Sequence, residues 1–304
     1  MEPTRRAVLA GTAAGALSLT LGRPVAAQAA LLRKPIPSTG EQIPIVGLGT
    51  ARRYEEAATE ADLAPLRDTV REFRALGGAV VDTAPSYGRG EAVMGELVDG
   101  LGTRKDIFLA TKVGVDSKAA GVAEIEQSFK NLKTDRIDLI AVHNLRDVTN
   151  QLATLRDMKA AGRIRYVGAT TSFERQHADF EAMMRREQLD AIQVDYALDN
   201  RKSADRVIPL ARDRGMAVFI NLPFGRGRLF KAVEGKALPD WAAEIDCTTW
   251  AQVFLKYVVS HEAVTCAVPG MAQARYVPDN LAAARGRMPD AALRRRMEQF
   301  IDGA

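Results

Sequence analysis

Residues 137–143, IDLIAVH, are the stretch that decides the fold class of this chain. The run is apolar, contains three β-branched side chains, and ends at a histidine. A strand that is buried on both faces has this continuous apolar pattern, which is typical of a parallel sheet. Similar runs recur along the chain. The eight predicted strands are residues 43–48, 79–82, 107–111, 137–142, 166–169, 191–194, 217–220 and 264–268.

The segments between these strands have the spacing of helices that bury one face. The side chains of Leu66, Val70, Phe73 and Leu76 recur every three or four residues. Glycines at positions 77, 78, 162 and 215 follow such segments, where a left-handed C-cap is favoured. Eight strand–helix units in about 270 residues predict an α/β protein with a (β/α)8 TIM-barrel fold in a single domain.

Two further features concern the fold. Residues 35–44, with Ser38-Thr39-Gly40 at their centre, predict a β-hairpin ahead of the first barrel strand. A doubly wound sheet is the alternative architecture. However, Gly47-Leu48-Gly49 and Gly225-Arg226-Gly227 both lack the third glycine of the dinucleotide-binding fingerprint of that fold.

Composition excludes several classes of protein. The chain has 304 residues, of which 47% are hydrophobic and 26% charged, with a net charge of +4 and two cysteines. We expect no stable membrane insertion, because no run of about eighteen apolar residues is present. The mild positive charge gives no reason to expect nucleic acid as a partner. We also expect no metal site, since His143, His177 and His261 have no ligand spacing and no CxxC motif occurs.

The first 29 residues resemble a twin-arginine export signal. Residues 4–9, TRRAVL, carry the paired arginines Arg5 and Arg6, and a soft apolar stretch then leads to the cleavage-like site Ala27-Gln28-Ala29. This pattern predicts a signal peptide over residues 1–29, a mature domain over residues 30–304, and a periplasmic location. The alternative is a short buried helix after a basic start, which Gly11 and Gly15 disfavour.

Ionisable side chains follow three neighbouring predicted strands on the rim where barrel enzymes carry their chemistry. They are Asp82, Tyr87 in the following loop, Lys112 and His143. A lysine ammonium lowers the pKa of a nearby tyrosine, and an aspartate keeps that lysine charged. A histidine can hydrogen-bond a substrate oxygen or share its proton. The set predicts a general acid for a carbonyl oxygen, and reduction of a carbonyl also requires a hydride from a nicotinamide or flavin.

Several motifs in one order resemble the aldo-keto reductase family. They are VDTAPSYG at 81–88, ATK at 110–112, IDLIAVH at 137–143, GRIRYVG at 162–168, and VPG at 268–270 leading to Asn280. The resemblance covers residues 40–285. It implies that Asp82, Tyr87, Lys112 and His143 form the catalytic tetrad. It also implies that NADPH donates hydride to the carbonyl carbon, that Tyr87 donates the proton, and that His143 orients the carbonyl.

The same resemblance implies a set of cofactor-binding residues. They are Thr50, Thr170, Thr171, Gln193, Asn221, Leu222, Gly225, Gly270, Met271, Gln273, Arg275 and Asn280. Three positions depart from the usual pattern of the family. Thr170-Thr171 replaces a Ser-Asn pair, Asn221 replaces an aromatic residue that stacks on the nicotinamide, and Arg275 is the only cation in residues 270–276. We therefore expect NADPH as the cofactor, with NADH possible.

The substrate is less defined by the sequence. Short loops at residues 113–120 and 144–150 predict an open pocket that accepts many small carbonyl compounds. Arg52 and Arg53 follow the first strand and either attract an acidic substrate or are simply solvated. A second function remains open, that of a non-enzymatic nicotinamide-binding sensor or subunit with the same fold. A barrel hydrolase or lyase would require paired carboxylates or a metal cluster, and the sequence offers neither.

Overall fold

A computed structural model describes residues 29–303 of the chain. The described part begins with an antiparallel hairpin formed by β1 (Arg33–Pro35) and β2 (Gln42–Pro44), in which Pro35 pairs with Gln42. This hairpin confirms the turn predicted for residues 35–44. Its apolar side chains Ile36 and Ile43 pack with the inner residues of the barrel, such as Phe108 and Leu139, and so close the amino-terminal end of the barrel.

Eight parallel strands follow and form one sheet in sequence order. They are β3 (Leu48–Gly49), β4 (Val80–Asp82), β5 (Phe108–Val113), β6 (Ile137–His143), β7 (Ile164–Thr170), β8 (Ala191–Asp195), β9 (Ala217–Asn221) and β10 (Cys266–Ala267). Bridges between Val46 and Ala267 and between Gly49 and Gly270 connect the first strand of this sheet to its last. The predicted (β/α)8 barrel is therefore confirmed, as a single domain.

The predicted extent of the first strand, residues 43–48, is wrong. Ile43 and Pro44 pair with β1, and only Leu48 and Gly49 pair with β4. The reason is local: Pro44 has no N–H to donate to a further ladder, so the run turns from the hairpin into the barrel wall there. The last predicted strand, residues 264–268, is likewise shorter, and β10 contains two residues.

Close backbone contact joins β3 to β10. The N–H of Gly47 donates to the Ala267 carbonyl at 2.8 Å, and the N–H of Gly49 donates to the Pro269 carbonyl at 2.8 Å. A Cβ atom at position 49 would lie 2.8 Å from the Val268 carbonyl oxygen. Only glycine fits at this approach, which accounts for Gly49 at the point where the barrel closes.

The helices cover the outside of the sheet. The described residues contain α1 (Glu60–Ala75), α2 (Gly90–Gly100), α3 (Lys118–Asn131), α4 (Val148–Ala160), α5 (His177–Arg186), α6 (Val207–Asp213), α7 (Arg228–Ala232), α8 (Trp250–Val259), α9 (Val277–Ala282) and α10 (Ala291–Asp302). Leu66, Val70 and Phe73 of α1 are buried, as their spacing predicts. The predicted C-caps at Gly77, Gly162 and Gly215 are confirmed by φ angles of 91°, 74° and 67°.

Two of the expected absences concern this part of the chain. Within residues 29–303, no helix combines the length and the apolar character that crossing a bilayer requires. The same residues contain no cluster of three or more His, Cys, Asp or Glu side chains that could hold a metal ion. The predicted signal peptide, residues 1–29, lies almost wholly outside the described residues.

Candidate active site

Strand alternation brings the predicted catalytic side chains together. Alternate residues of β4, β5 and β6, such as Val80, Phe108 and Leu139, fill the interior of the barrel. Because side chains along a strand alternate between the two faces, Asp82, Lys112 and His143 continue these inner rows at the carboxyl ends of their strands. Tyr87 reaches the same place from the loop before α2. The barrel interior thus changes from an apolar core to a polar site at this end.

A buried ion pair lies at the centre of the site. Lys112 Nζ donates to both carboxylate oxygens of Asp82 at 2.9 Å and to the Thr83 carbonyl oxygen at 2.7 Å. Lys112 is 2% exposed and Asp82 7% exposed. Burial is the largest single influence and lowers the pKa of Lys112, but the charge of Asp82, its hydrogen bonds to the ammonium and the nearby Tyr87 together outweigh burial and raise that pKa above its ordinary value. The ammonium is therefore charged and fixed in place.

Tyr87 lies directly beside this pair. The ammonium of Lys112 is 5.2 Å from the centroid of the Tyr87 ring. Its charge is the largest single influence on the phenol and lowers the pKa of Tyr87, as predicted from the sequence. Burial and the charge of Asp82 act in the opposite direction and prevail, so the pKa of Tyr87 lies above its ordinary value of 10.0. The predicted lowering by Lys112 is therefore present but is outweighed, and Tyr87 is protonated at neutral pH.

His143 faces Tyr87 edge-on. The two ring centroids are 6.3 Å apart and their planes are inclined at 84°. Burial, together with the positive charge of Lys112, lowers the pKa of His143 to about 3. Its imidazole is therefore neutral at physiological pH. Of the two roles predicted for this histidine, hydrogen bonding to a substrate oxygen fits a neutral ring, whereas delivery of a proton from an imidazolium does not.

A chain of hydrogen bonds extends from Asp82 into the predicted nicotinamide contacts. Gln193 Nε2 donates to Asp82 Oδ1 at 3.0 Å, and the Thr170 hydroxyl donates to Gln193 Oε1 at 3.0 Å. Thr170 and Gln193 are both buried. The strand ends of β7 and β8 are thereby connected to the Lys112–Asp82 pair.

Thr171 and Asn221 hydrogen-bond to each other rather than to the series of side chains that runs from Asp82 through Gln193 to Thr170. The Thr171 hydroxyl donates to Gln176 Oε1 at 2.5 Å and accepts from the Phe173 N–H at 3.1 Å. Asn221 Nδ2 donates to the Thr171 carbonyl oxygen at 3.3 Å. The side chain of Thr171 thus serves its own loop.

A cavity of about 380 Å³ opens above the site. Its lining includes the predicted residues Thr50, Asp82, Tyr87, Asn221, Leu222 and Gly270. Thr50 Oγ1 and Asn221 Oδ1 are buried and have no hydrogen-bond partner in the described part of the chain. Leu222 has a φ of 50°, a left-handed conformation that costs a non-glycine residue about 1 kcal/mol or more. Unpartnered polar atoms and backbone strain in one cavity indicate a site that a polar ligand completes.

The other predicted cofactor residues are not in the lining of this cavity. Gly225 lines the neighbouring cavity, which also contains Arg228. Gln273 lines a third cavity beside Arg53. Met271 is buried and its carbonyl accepts from the Tyr54 hydroxyl at 3.0 Å. Asn280 is buried, and Arg275 is exposed with its guanidinium 4.9 Å from the Tyr276 ring centroid.

Sequence reasoning missed the aromatic side of the cavity. Phe224 and Phe230 line it, with ring centroids 5.0 Å apart. Phe224 lies just after β9, so assigning the residues that follow each strand to the rim would have found it. Nothing in the sequence pattern identifies Phe230 as a cavity residue, because it is an ordinary apolar residue within α7. The carbonyl of Thr83 was also missed, since backbone acceptors leave no signal in a sequence.

A model of the Aldo/keto reductase family matches residues 45–296. The chain belongs to this family. This aldo/keto reductase is 30% identical over 226 residues to the aldo-keto reductase YhdN of Bacillus subtilis, and the match covers 69% of this chain and 66% of that protein. It is 25% identical over 238 residues to the NADH-specific methylglyoxal reductase of Escherichia coli, covering 68% of this chain and 72% of that protein.

Solved structures of other aldo/keto reductases have the same fold. An aldo/keto reductase from Klebsiella pneumoniae, in complex with NADP and acetate, superimposes with a TM-score of 0.74 at 24% identity. The match covers 86% of this chain and 93% of that one.

Proposed function

We propose that the chain is an NAD(P)H-dependent oxidoreductase that reduces aldehydes and ketones, or oxidises the corresponding alcohols, with Tyr87 as the general acid or base. The observation that carries this proposal is the buried Lys112–Asp82 pair beside Tyr87 at the wall of a ligand-sized cavity. Membership of the Aldo/keto reductase family supports it.

Tyr87 carries the proton in this mechanism. Its pKa lies above 10.0, so the phenol is protonated at neutral pH and ready to donate. When bound, the reduced nicotinamide supplies the hydride. As the carbonyl carbon gains that hydride, the oxygen becomes strongly basic and takes the proton of Tyr87. The Lys112 ammonium stabilises the phenolate that remains, and the phenolate then recovers a proton from solvent. Oxidation of an alcohol follows the reverse path.

His143 orients the carbonyl in the proposed reaction. The neutral imidazole presents one N–H donor, and the ring faces Tyr87. Two donors, the Tyr87 hydroxyl and the His143 N–H, would then hold one carbonyl oxygen. Ser86 Oγ lies 3.5 Å from His143 Nδ1, at the outer limit of a hydrogen bond to that nitrogen.

The residues of the cavity fit a nicotinamide cofactor. Thr50 Oγ1 and Asn221 Oδ1 are unpartnered within residues 29–303 and are placed to bind the polar groups of such a cofactor. NADP is bound in the Klebsiella structure, whereas the Escherichia coli relative is NADH-specific. Arg275 is the only cation in residues 270–276 that could meet a 2′-phosphate. We propose NADPH as the cofactor, with NADH accepted.

The loops above His143 favour a broad range of substrates. Gly114 lies against His143, where an added Cβ would be 3.1 Å from the His143 Cβ, so no side chain covers the histidine from that position. Arg146 pins this loop by donating to the Gly114 carbonyl at 3.0 Å and by pairing with Asp116. Arg52 lines the cavity that contains Tyr87 and also lines a second cavity together with Arg53. The site is open to small carbonyl compounds of different shapes.

A titration of the purified protein with NADPH and with NADH, followed by protein fluorescence, tests the proposal. We expect saturable binding of at least one of them in about the micromolar range, and turnover with several members of a panel of aldehydes and ketones. Binding without turnover of any carbonyl would favour the non-enzymatic nicotinamide-binding protein. Binding of neither nucleotide would contradict both the oxidoreductase and the non-enzymatic nicotinamide-binding protein.

We also propose that residues 1–29 direct export to the periplasm by the twin-arginine route. The paired Arg5 and Arg6 and the Ala27-Gln28-Ala29 site support this. Ala29 and Ala30 are exposed in the structure, where a peptidase would reach them. Replacing Arg5 and Arg6 by lysine should leave the protein uncleaved in the cytoplasm. Cell fractionation is the measurement, and normal export of this variant would overturn the proposal.

A further inference from the structure

Asn221 holds an acceptor that the rest of the described chain leaves unused. It is the last residue of β9 and lines the same cavity as Tyr87. Its Nδ2 donates to the Thr171 carbonyl oxygen at 3.3 Å. That bond sets the orientation of the amide, because the flipped orientation would place two oxygens together. Oδ1 is buried and unpartnered within residues 29–303.

An unpartnered buried carbonyl oxygen is destabilising unless a ligand satisfies it. The polar side chains at the ends of the neighbouring strands β7 and β8 already have hydrogen-bond partners. The Thr171 hydroxyl donates to Gln176 Oε1 and accepts from the Phe173 N–H. Gln193 uses its amide on Asp82 and on Thr170. Of the amide groups at the ends of β7, β8 and β9, Asn221 Oδ1 is therefore the acceptor that is free for a ligand N–H.

The occupant must bring an N–H group into a cavity that Tyr87 also lines. The carboxamide of a nicotinamide offers such a donor at the end of a planar ring, and the ring carbon that transfers hydride has to approach the carbonyl held by Tyr87. We infer that Asn221 accepts a hydrogen bond from the carboxamide N–H of the nicotinamide and so fixes the ring relative to Tyr87. This inference rests on the proposed function, and it makes Asn221 a positioning residue.

Asn221 then performs the task that the sequence pattern assigned to position 171. Thr171 has no carboxamide, but its backbone carbonyl holds the carboxamide of Asn221 in place. Compared with the family pattern, the carboxamide side chain lies at the end of β9 instead of the end of β7. The hydrogen bond from the nicotinamide to Asn221 explains how this chain holds the nicotinamide in one orientation although residue 221 is not aromatic.

A pair of nucleotides tests this bond directly. One is NADPH, and the other is its reduced 3-acetylpyridine analogue, in which a methyl group replaces the carboxamide NH2. We expect the unmodified protein to bind NADPH about 3- to 10-fold more tightly than the analogue, as measured by calorimetry. Asn221→Leu should bind the two nucleotides with equal affinity, close to that of the unmodified protein for the analogue. Asn221→Ala should behave in the same way if the leucine variant folds poorly.

Thr171→Val is the matched control. It removes a hydroxyl that is satisfied inside its own loop, so it should retain the preference for NADPH over the analogue. Loss of the preference in Thr171→Val with retention in Asn221→Leu would overturn the inference. Equal binding of both nucleotides by the unmodified protein would also overturn it. Failure of the unmodified protein to bind either nucleotide would instead refute the proposed function.

Discussion

Replacing Tyr87 by phenylalanine is expected to lower kcat for carbonyl reduction by about 10²- to 10⁴-fold. The phenol is protonated, lies beside the Lys112 ammonium and faces the His143 ring. Its removal leaves the carbonyl oxygen without a proton donor while the cavity keeps its shape. Affinity for NADPH should be unchanged, and steady-state kinetics together with a binding titration are the measurements.

Tyr166→Phe provides the control for this substitution. The Tyr166 hydroxyl donates to Glu41 at 2.5 Å, at the amino-terminal end of β7 and away from the cavity. This variant also loses one buried hydroxyl, so it should lose about 1 kcal/mol of stability and keep its kcat. If Tyr87→Phe retained full kcat, Tyr87 would not be the acid.

Lys112→Met should impair both catalysis and stability. It leaves the carboxylate of Asp82 buried and without its cation, which costs about 3–5 kcal/mol of unfolding free energy. It also removes the charge that lowers the pKa of Tyr87 while leaving the charge of Asp82, which raises it. The pKa of Tyr87 therefore rises further and the phenolate formed during reduction is less stable. We expect kcat to fall by about 10²-fold or more.

Lys256→Met is the control that separates the loss of catalysis from the loss of stability. Lys256 is 1% exposed and donates to the carbonyls of Ile245, Arg285 and Arg287, far from the catalytic rim. Its loss should lower the melting temperature while kcat per folded molecule stays unchanged. Equal kcat in Lys112→Met and Lys256→Met, each measured per folded molecule, would show that Lys112 is only structural.

The parts of the site that follow from strand alternation could be predicted from the sequence. A strand buried on both faces is recognised by its apolar run, and the first polar residue after each run then lies on the rim. Asp82, Lys112 and His143 are such residues, and their family motifs gave Tyr87. The barrel itself follows from the count of these units.

The remaining features depend on contacts that a single run of sequence does not contain. Residues 43–48 are uniformly apolar, and only the pairing of Ile43 with β1 divides them between hairpin and barrel. The net pKa of Tyr87 depends on the balance among Lys112, Asp82 and burial, which needs three-dimensional distances. The use of Thr171 within its own loop depends on Gln176, five residues away, whose side chain could equally have pointed to solvent.

The junction between β3 and β10 is the line along which this cylinder closes. Both strands have two residues, and four backbone hydrogen bonds join the two segments: Ala267 donates to Ile45, Gly47 to Ala267, Gly49 to Pro269 and Met271 to Gly49. Local opening of the barrel at this line requires these backbone hydrogen bonds to break. Thr50 and Gly270 lie on opposite sides of this line and both line the cavity. A ligand that contacts both residues spans the line and raises the free energy of opening. Resistance of the folded chain to proteases is thereby tied to the concentration of whatever fills the cavity.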